Sequence, residues 1–259
     1  ATIDASGMTA AVSLVNNNIT TTATLGSAND TYKTDAAVSL GYSVDGGDGK
    51  DTLSVTAATV MDSAVETARY TNFEVLSITN SAATTSAATS SQNMAFISGI
   101  DEVTVTAIDS NNDSAVSVFT TALTNARATT TLNVNGLATS ESSTMTLETS
   151  VVAAADGAAD TLNLVLGTAT ASSGADNLTA AAGKIDHSLT ASDAETINVT
   201  SQGGANLVND IDAASLTTLN VSGGKSLSMT SLTNTTLLAT VDASGLTGTA
   251  ALVMGTNGS

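Results

Sequence analysis

One nine-residue segment has the residue types and the spacing of a calcium-binding loop. Residues 46–54 read GGDGKDTLS and match the pattern G-G-x-G-x-D-x-U-x at every fixed position, where U is a large apolar residue. Glycines let the backbone turn tightly and direct carbonyl oxygens at one point. Asp51 adds a carboxylate, and Leu53 is expected to point inward and fix the loop. Carbonyl and carboxylate oxygens are the ligands that Ca²⁺ prefers.

A single loop of this kind does not complete a calcium site, because Ca²⁺ takes about six to eight oxygens. A second half-site must therefore lie on an adjacent turn of the chain. Residues 25–32 read LGSANDTY, a degraded copy of the pattern, and its Asp30 precedes Asp51 by close to the length of one coil. We expect one Ca²⁺ to bind between residues 26–32 and 46–53. The predicted ligand residues in these loops are Asp30, Asp45, Gly46, Gly47, Asp48, Gly49 and Asp51.

Two further segments are weaker candidates for calcium loops. Residues 156–162 read DGAADTL and residues 173–178 read SGADNL. The interval between their acidic residues, Asp160 and Asp176, is also near the length of one coil, and both are added to the predicted ligand set. The alternative for every loop is a Gly-Asp hairpin turn that binds no ion.

The loops must be positioned by a recurring short unit with apolar residues at its first, fourth and sixth positions. Alternating apolar and polar residues flanked by Thr, Ser or Asn indicate strands with one buried face. The central apolar residues recur at intervals that fall within the range of about 20–50 residues typical of a solenoid, and the last two intervals are equal. These residues are Leu53, Leu76, Val103, Leu132, Leu162, Ile197, Leu219 and Val241.

We therefore predict an all-β chain that forms a parallel β-helix or β-solenoid-like stack with irregular insertions. Two short helices are predicted at residues 62–69 and 114–127. Residues 1–60 are expected to form an N-terminal β region with the calcium loops, residues 61–189 an irregular solenoid, and residues 190–259 regular repeats of about 22 residues. Tandem β-sandwich domains are the alternative fold, but Trp is absent and aromatic residues are only 2% of the chain.

Composition excludes several classes of function. The chain has 6 Lys and Arg against 24 Asp and Glu, a net charge of −18, so we expect no binding to nucleic acid. No apolar run is long enough to span a membrane. Cys is absent, which removes disulfides, zinc ribbons and thiol catalysis. Asp favours turns and compact oxygen cages for hard cations, so the acidity is consistent with calcium binding.

His187 is the only histidine in the chain. Asp186, Ser188 and Asp193 lie near it in sequence and could suggest a catalytic triad. Triad members must converge in space, whereas adjacent residues of a strand point to opposite faces. We therefore expect His187 to be a solvated loop residue, and we predict that the chain is not an enzyme.

Taken together, the composition, the segment 46–54 and strands of the form E-x-φ-x-φ-T give a family resemblance. Such strands begin at Glu74, Glu102 and Glu195. The chain resembles the RTX-type S-layer proteins of Gram-negative bacteria, which leave the cell by type I secretion. That resemblance implies a secreted structural protein at the cell surface that self-assembles with Ca²⁺ into a lattice. The alternative is a repeat segment of a large RTX-type adhesin, a cell-surface or biofilm stalk.

The partners implied by the resemblance are copies of the same chain in arrays or filaments, calcium, and cell-surface polysaccharide bound through regions outside this chain. Residues 3–9 read IDASGMT and recur as VDASGLT at residues 241–247. Because repeat material occurs near both termini, we expect the sequence to be an excerpt of a longer array.

Overall fold

The computed structural model describes residues 1–17, 20–35, 39, 41–56, 69–82, 87–97, 99–109, 116–138, 144–153, 157, 159–167 and 185–253. These residues form 22 strands and one short 3₁₀ helix, Met94–Phe96. In chain order the strands are β1 Thr2–Asp4, β2 Ser13–Val15, β3 Thr22–Thr24, β4 Thr31–Thr34, β5 Val44–Asp45, β6 Thr52–Thr56, β7 Tyr70–Thr71, β8 Val75–Ala82, β9 Ala87–Asn93, β10 Glu102–Asp109, β11 Val116–Ala126, β12 Thr129–Ala138, β13 Thr144–Ala153, β14 Thr161–Leu166, β15 Ile185–Thr190, β16 Thr196–Ser201, β17 Asn206–Asp212, β18 Thr218–Gly223, β19 Leu227–Met229, β20 Leu232–Thr233, β21 Thr240–Leu246 and β22 Ala250–Leu252.

The strands pair into three sheets. A ten-stranded long sheet has the order β2-β4-β6-β8-β10-β12-β14-β16-β18-β21. A four-stranded N-terminal sheet has the order β1-β3-β5-β7, and an eight-stranded C-terminal sheet contains β9, β11, β13, β15, β17, β19 and β22, with β20 paired to β17. Every pairing is parallel. The predicted all-β, parallel solenoid-like stack is confirmed.

The long sheet is shared by all coils, and its partner sheet changes along the chain. In the first coils a strand of the N-terminal sheet precedes each strand of the long sheet. From β8 onward a strand of the C-terminal sheet follows each strand of the long sheet. The long sheet has strands on both sides of each predicted region boundary, at 60/61 and at 189/190. The division of the chain into three regions at these boundaries stays a prediction.

Alternating side chains along the long-sheet strands build the core. In β6 the side chains of Leu53 and Val55 are buried, and the Thr and Ser residues that alternate with them are half-buried on the outer face. The same alternation occurs in β14, β16 and β18. Each fully buried Leu or Val contributes about 1.5–3 kcal/mol relative to its exposed state. Because each coil is thin, most of this burial is made against the coils above and below.

The predicted repeat positions are in register for most consecutive pairs, from Leu53–Leu76 to Leu219–Val241. The exception is Leu132, which pairs with Leu164, while Leu162 pairs with Thr130. A shift by an even number of residues keeps every side chain on its face of the sheet. Since Leu162, Leu164 and Leu166 are all buried, the apolar pattern alone did not distinguish these two registers.

Coil length rises along the chain and then falls. Near the start, Ser13 pairs with Thr31, and Val12 is likewise separated from Asp30 by a step of 18 residues. The step reaches 35 residues where Thr161 pairs with Thr196. It falls to 22 residues between β16 and β18, and the first paired residues of β18 and β21 are also 22 residues apart. Extra residues are inserted between strands, and the strands themselves stay paired in one continuous sheet.

One of the two predicted helices is wrong. Residues 116–126 of the segment 114–127 form strand β11, which pairs with β9 and β13. The even spacing of Phe119 and Leu123 fits one face of a helix and also one face of a strand. Both side chains are buried, with Thr121 buried between them. The other predicted helix, at 62–69, lies outside the described residues apart from Arg69 and stays a prediction.

Among the helices that the described residues form, none is long and apolar enough to cross a membrane.

Candidate metal centre

Three acidic residues stand directly before consecutive strands of the long sheet, and we call them the acidic corner: Asp30, Asp51 and Glu74. Each carboxylate accepts a hydrogen bond from a backbone N–H one coil earlier. The Val12 N–H donates to Asp30 Oδ1 at 2.7 Å, and the Asp30 N–H donates to Asp51 Oδ1 at 2.7 Å. The Asp51 N–H donates to Glu74 Oε2 at 2.8 Å. The acidic corner therefore ties successive coils together.

The spacing of this corner confirms that Asp30 and Asp51 lie on adjacent coils. Thr31 pairs with Thr52, so the two residues just before them are also one coil apart. Both acidic side chains are buried, at 1% and 0% exposure. Buried N–H groups at a sheet corner need an acceptor, and an ionised acceptor makes hydrogen bonds about twice as strong as a neutral one. The acidic residues thus have a structural role, and their role as calcium ligands stays a prediction.

The glycines of residues 46–54 allow a close approach to the preceding coil. Gly47 has φ +91° and Gly49 has φ +128°, both in the region that favours glycine. A Cβ on Gly47 would overlap the Gly26 carbonyl oxygen, and one on Gly49 would lie 2.5 Å from the Ala28 carbonyl oxygen. The Asp48 N–H donates to the Gly26 carbonyl at 3.1 Å. Close packing of the two loop backbones therefore explains why the sequence pattern has glycine at both positions.

In two loops the second carboxylate oxygen is also satisfied by a glycine N–H. Asp30 Oδ2 accepts from Gly26 at 2.7 Å, within its own loop. Asp160 Oδ2 accepts from Gly157 at 3.0 Å in the same way. Both carboxylates thus have a partner for this oxygen without any ion.

Asp51 is different, although it stands in the one loop that matches the full pattern. The corresponding N–H, that of Gly47, donates at 3.1 Å to Asp45 Oδ1. Asp51 Oδ2 is buried and has no hydrogen-bond partner among the described residues. Burial raises the pKa of Asp51 from 3.8 to about 6; the nearby charges of Glu74, Asp30 and Asp45 add to this, and the Asp30 N–H opposes it. The site thus carries an unsatisfied carboxylate oxygen.

The oxygens around Gly46 suit a hard cation. A Cβ on Gly46 would overlap the Asn72 carbonyl oxygen and would lie 2.9 Å from Asp51 Oδ2, so both oxygens face the space beside this glycine. Asp45 Oδ1 is held nearby by the Asn72 side-chain amide at 2.8 Å. A carboxylate and a carbonyl are ligands that Ca²⁺ accepts, with water completing its shell. Among the described residues no group of three or more acidic or histidine side chains is arranged to hold a metal.

The other predicted ligands contribute less. Both oxygens of Asp30 already accept backbone N–H groups, and Asp48 is exposed to solvent. Asp160 precedes β14, and its N–H donates to Glu195 Oε2 at 2.7 Å. The coil step at this point is 35 residues, so Glu195 occupies the position on the next coil that we expected for Asp176. Asp176 itself lies outside the described residues.

Glu74 and Glu195 are structural residues whose role the sequence analysis missed. Each stands just before a long-sheet strand and caps an N–H of the coil before it. The E-x-φ-x-φ-T pattern could have identified them. However, that pattern grouped them with Glu102, which occupies a different position relative to its strand. Glu102 pairs with Val75, one residue further into the strand, and its carboxylate binds Lys50 Nζ at 2.6 Å.

The prediction for His187 is wrong. His187 is 3% exposed, lies in β15, and is paired in register with Leu147 and Val208. Its Nε2 is 2.8 Å from Thr149 Oγ1, and its Nδ1 has no partner among the described residues. Burial lowers the pKa of His187 to about 4, so the ring is neutral at pH 7. The absence of enzymatic activity stays a prediction.

Comparisons with known proteins give no assignment. No family model matches the chain, and no match is found among curated proteins or solved structures. We therefore base a functional proposal on the coils, the acidic corner and the Asp51 oxygen that has no partner among the described residues.

Proposed function

We propose that this chain is a structural segment of an extracellular surface layer whose copies assemble in a calcium-dependent manner. The observation that supports this proposal is the buried Oδ2 of Asp51, which has no hydrogen-bond partner within the described part of the chain and stands in the loop that matches the full nonapeptide pattern. Asp51 and the Asn72 carbonyl would supply oxygens to Ca²⁺, with Asp45 beside them. The ion would neutralise the loop and lock neighbouring coils.

The charge of the whole chain supports the same conclusion. A chain with a net charge of −18 repels itself both within the coil stack and between copies. A ligand that binds only the folded state stabilises it by about 2.7 kcal/mol at a concentration of 100 times its Kd. Calcium at the acidic corner would therefore link folding to an environment rich in calcium, which is the extracellular space. Cell-surface polysaccharide, bound outside this chain, would anchor the layer.

The test is a calorimetric calcium titration of the whole chain after chelation. The unmodified chain should bind Ca²⁺, and Asp51→Asn should weaken binding at least about tenfold, since one charged ligand is lost. Asp160→Asn is the matched control, because the second oxygen of Asp160 already accepts the Gly157 N–H. No heat from the unmodified chain would refute the calcium proposal. An equal loss in Asp160→Asn would contradict the assignment of the ion to the Asp51 loop, because the two variants would then be indistinguishable.

A stalk segment of a large RTX-type adhesin is the second candidate. It is favoured by the uninterrupted ten-stranded sheet, which at about 4.8 Å per strand makes a rod on the order of 45 Å long. Negative-stain imaging with and without calcium separates the two functions. A surface-layer segment should form ordered arrays when calcium is added, whereas a stalk segment should remain a single rod.

A further inference from the structure

One glycine N–H of the loop at residues 46–54 has two carboxylates close enough to compete for it. In the structure the Gly47 N–H donates to Asp45 Oδ1 at 3.1 Å. In the preceding loop, residues 25–32, the Gly26 N–H donates instead to Asp30 Oδ2, at 2.7 Å. Gly26 stands four residues before Asp30, and Gly47 stands at the same interval before Asp51. The bond made in the preceding loop is therefore the one that Asp51 Oδ2 lacks.

The two loops differ at the residue that stands two positions before the glycine. This residue is Thr24 in the preceding loop and Asp45 in the other, and the two are paired in register. Aspartate readily accepts the N–H two residues later in the chain, and threonine does so more weakly. Asp4, which pairs with Thr24 on the other side, also accepts the N–H two residues later, that of Ser6, at 3.0 Å. An aspartate in this column therefore diverts the Gly47 N–H.

The peptide group between Gly46 and Gly47 is free to adopt either arrangement. Neither residue has a Cβ, and Gly47 has φ +91°, in the region that favours glycine. A Cβ placed on Gly46 would lie 2.9 Å from Asp51 Oδ2, so this oxygen lies beside the same peptide group. Rotation of that one group would turn the Gly47 N–H from Asp45 towards Asp51.

Asp45 is itself held in place from the next coil. Its Oδ1 accepts the Asn72 side-chain amide at 2.8 Å, in addition to the Gly47 N–H. Asn72 has φ +55°, and its carbonyl oxygen faces the space beside Gly46. The residue that orients Asp45 is thus also the one whose carbonyl would bind the ion. The orientation of Asp45 is therefore linked to the oxygens of the proposed site.

We propose that Asp45 is a positioning residue for the cation: by accepting the Gly47 N–H it keeps Asp51 Oδ2 open, and without it the loop closes on its own carboxylate. This inference rests on the proposed calcium function and deepens it, because it names what controls access to the site. In the closed arrangement an ion would have to displace an N–H from Asp51 before it bound. A ligand that binds one of two arrangements shifts the population towards it, so Ca²⁺ should in turn favour the bond between Gly47 and Asp45.

Three substitutions of Asp45 separate its hydrogen bond from its charge. Asp45→Thr reproduces the preceding loop and fits a column that has Thr24 before it and Thr71 after it, so this variant should fold. Asp45→Ala is the second variant, because alanine offers no side-chain acceptor. Asp45→Asn is the matched control: it removes the same charge but keeps an oxygen that can accept the Gly47 N–H.

The acceptor of the Gly47 N–H is identified by NMR in the calcium-free chain, from the scalar coupling that passes across a hydrogen bond. In the unmodified chain and in Asp45→Asn, the Gly47 nitrogen should couple to the side-chain carbonyl carbon of residue 45. In Asp45→Thr and Asp45→Ala it should couple to the carboxyl carbon of Asp51. The coupling from Gly26 to Asp30 is the internal reference and should be the same in every variant. No coupling between Gly47 and Asp51 in either variant would overturn the inference.

Calorimetry then measures how this exchange changes calcium binding. Asp45→Thr and Asp45→Ala should bind Ca²⁺ at least about tenfold more weakly than the unmodified chain, since the ion must displace a charge-assisted hydrogen bond from Asp51. Asp45→Asn should lose no more than about threefold, the effect of one nearby charge. An equal loss in all three variants would contradict the positioning role, because the charge of Asp45 alone would then explain the result.

The positioning role and the calcium function fail in different ways. If the Gly47 bond is exchanged in Asp45→Thr and Asp45→Ala but the unmodified chain binds no Ca²⁺, the calcium function is refuted and the two arrangements of the loop stand. If the unmodified chain binds Ca²⁺ but the bond is not exchanged, only the role of Asp45 is refuted. Circular dichroism checks that each variant keeps the strand content of the unmodified chain.

Discussion

The two halves of the long sheet differ in their side-chain links, although one carboxylate link, from the Asp160 N–H to Glu195, also occurs in the C-terminal half. In the N-terminal coils, residues 1–82, buried or half-buried carboxylates accept backbone N–H groups from the coil before them. In the C-terminal coils, residues 161–253, neutral amides form a ladder on the outer face. The carboxylates belong to Asp30, Asp51 and Glu74. The amides belong to Asn163, Asn198 and Asn220, which are joined at 2.8 Å.

Under the proposed function, the calcium site belongs to the N-terminal coils, where Asp51 lies. A carboxylate link responds to cations and to pH, whereas an amide link responds to neither. The folded chain holds a proton on Asp51 between its usual pKa of 3.8 and about 6, so this group favours folding as the pH falls through that range. His187 has the opposite effect, because burial lowers its pKa to about 4. The two regions should thus respond to acid in opposite directions.

The largest expected effect comes from removing one buried leucine from each half. Leu53 and Leu219 are both 0% exposed, and Leu→Ala at such sites costs about 2–5 kcal/mol in the free energy of unfolding. The chain has no Trp and three tyrosines, Tyr32, Tyr42 and Tyr70, so tyrosine fluorescence reports the N-terminal coils. Because each coil contacts only its neighbours, Leu53→Ala should lower the denaturant concentration at the midpoint of the tyrosine transition far more than Leu219→Ala does.

Far-UV circular dichroism is the comparison probe, since it follows strands in both halves. Leu219→Ala should shift part of this signal while the tyrosine transition stays near its original denaturant concentration. If both variants shift the tyrosine transition equally, the halves unfold as one unit and the regional difference has no thermodynamic meaning.

The fold was predictable because period-two alternation survives in the central strands of the long sheet, such as β6, β14, β16 and β18. The prediction failed where two structures share one pattern. Leu162, Leu164 and Leu166 allowed two registers that keep the same side chains inward. The spacing of Phe119 and Leu123 fitted a helix and a strand equally, and pairing with β9 and β13 decided it. A local sequence pattern does not show which distant strands pair, so periodicity alone could not decide between these structures.

His187 gives the next largest effect. Its usual pKa is 6.5, so below that value the unfolded chain takes up a proton that the folded chain refuses until about pH 4. Stability from this group is therefore present above pH 6.5 and is lost as the pH falls. Between pH 7 and pH 5 the loss from His187 alone should be about 2 kcal/mol, measured as the difference between the chains with and without this histidine in urea unfolding followed by circular dichroism.

The matched variant for this prediction is the double substitution His187→Leu with Thr149→Val, which removes both members of the buried pair. Leucine fits the row that already contains Leu147 and Val208. The double variant should lose the His187 contribution to the pH dependence, whereas Thr149→Val alone should keep it. An unchanged pH dependence in the double variant would show that another group titrates.

The candidate site was only partly predictable. The glycine spacing identified the loop, and the interval between the two loops correctly placed Asp30 one coil from Asp51. Sequence could not show that Asp30 is fully occupied by N–H groups while one oxygen of Asp51 is left without a partner among the described residues. That difference depends on whether the Gly47 N–H turns to Asp45, which is a property of backbone geometry. The burial of His187 was readable, since Ile185 and Leu189 flank it at strand spacing.

The smallest expected effect tests the amide ladder of the C-terminal coils. Asn198 donates to Asn163 and accepts from Asn220, so Asn198→Ala removes two neutral, partly solvated hydrogen bonds. The free energy of unfolding should fall by about 1 kcal/mol, because water replaces part of the lost bonding. The loss should be the same at pH 5 and pH 7 and in calcium or chelator. Thr218→Ala, an outward neighbour outside the ladder, should cost less, and a calcium-dependent loss in Asn198→Ala would mean that cation control extends into the C-terminal coils.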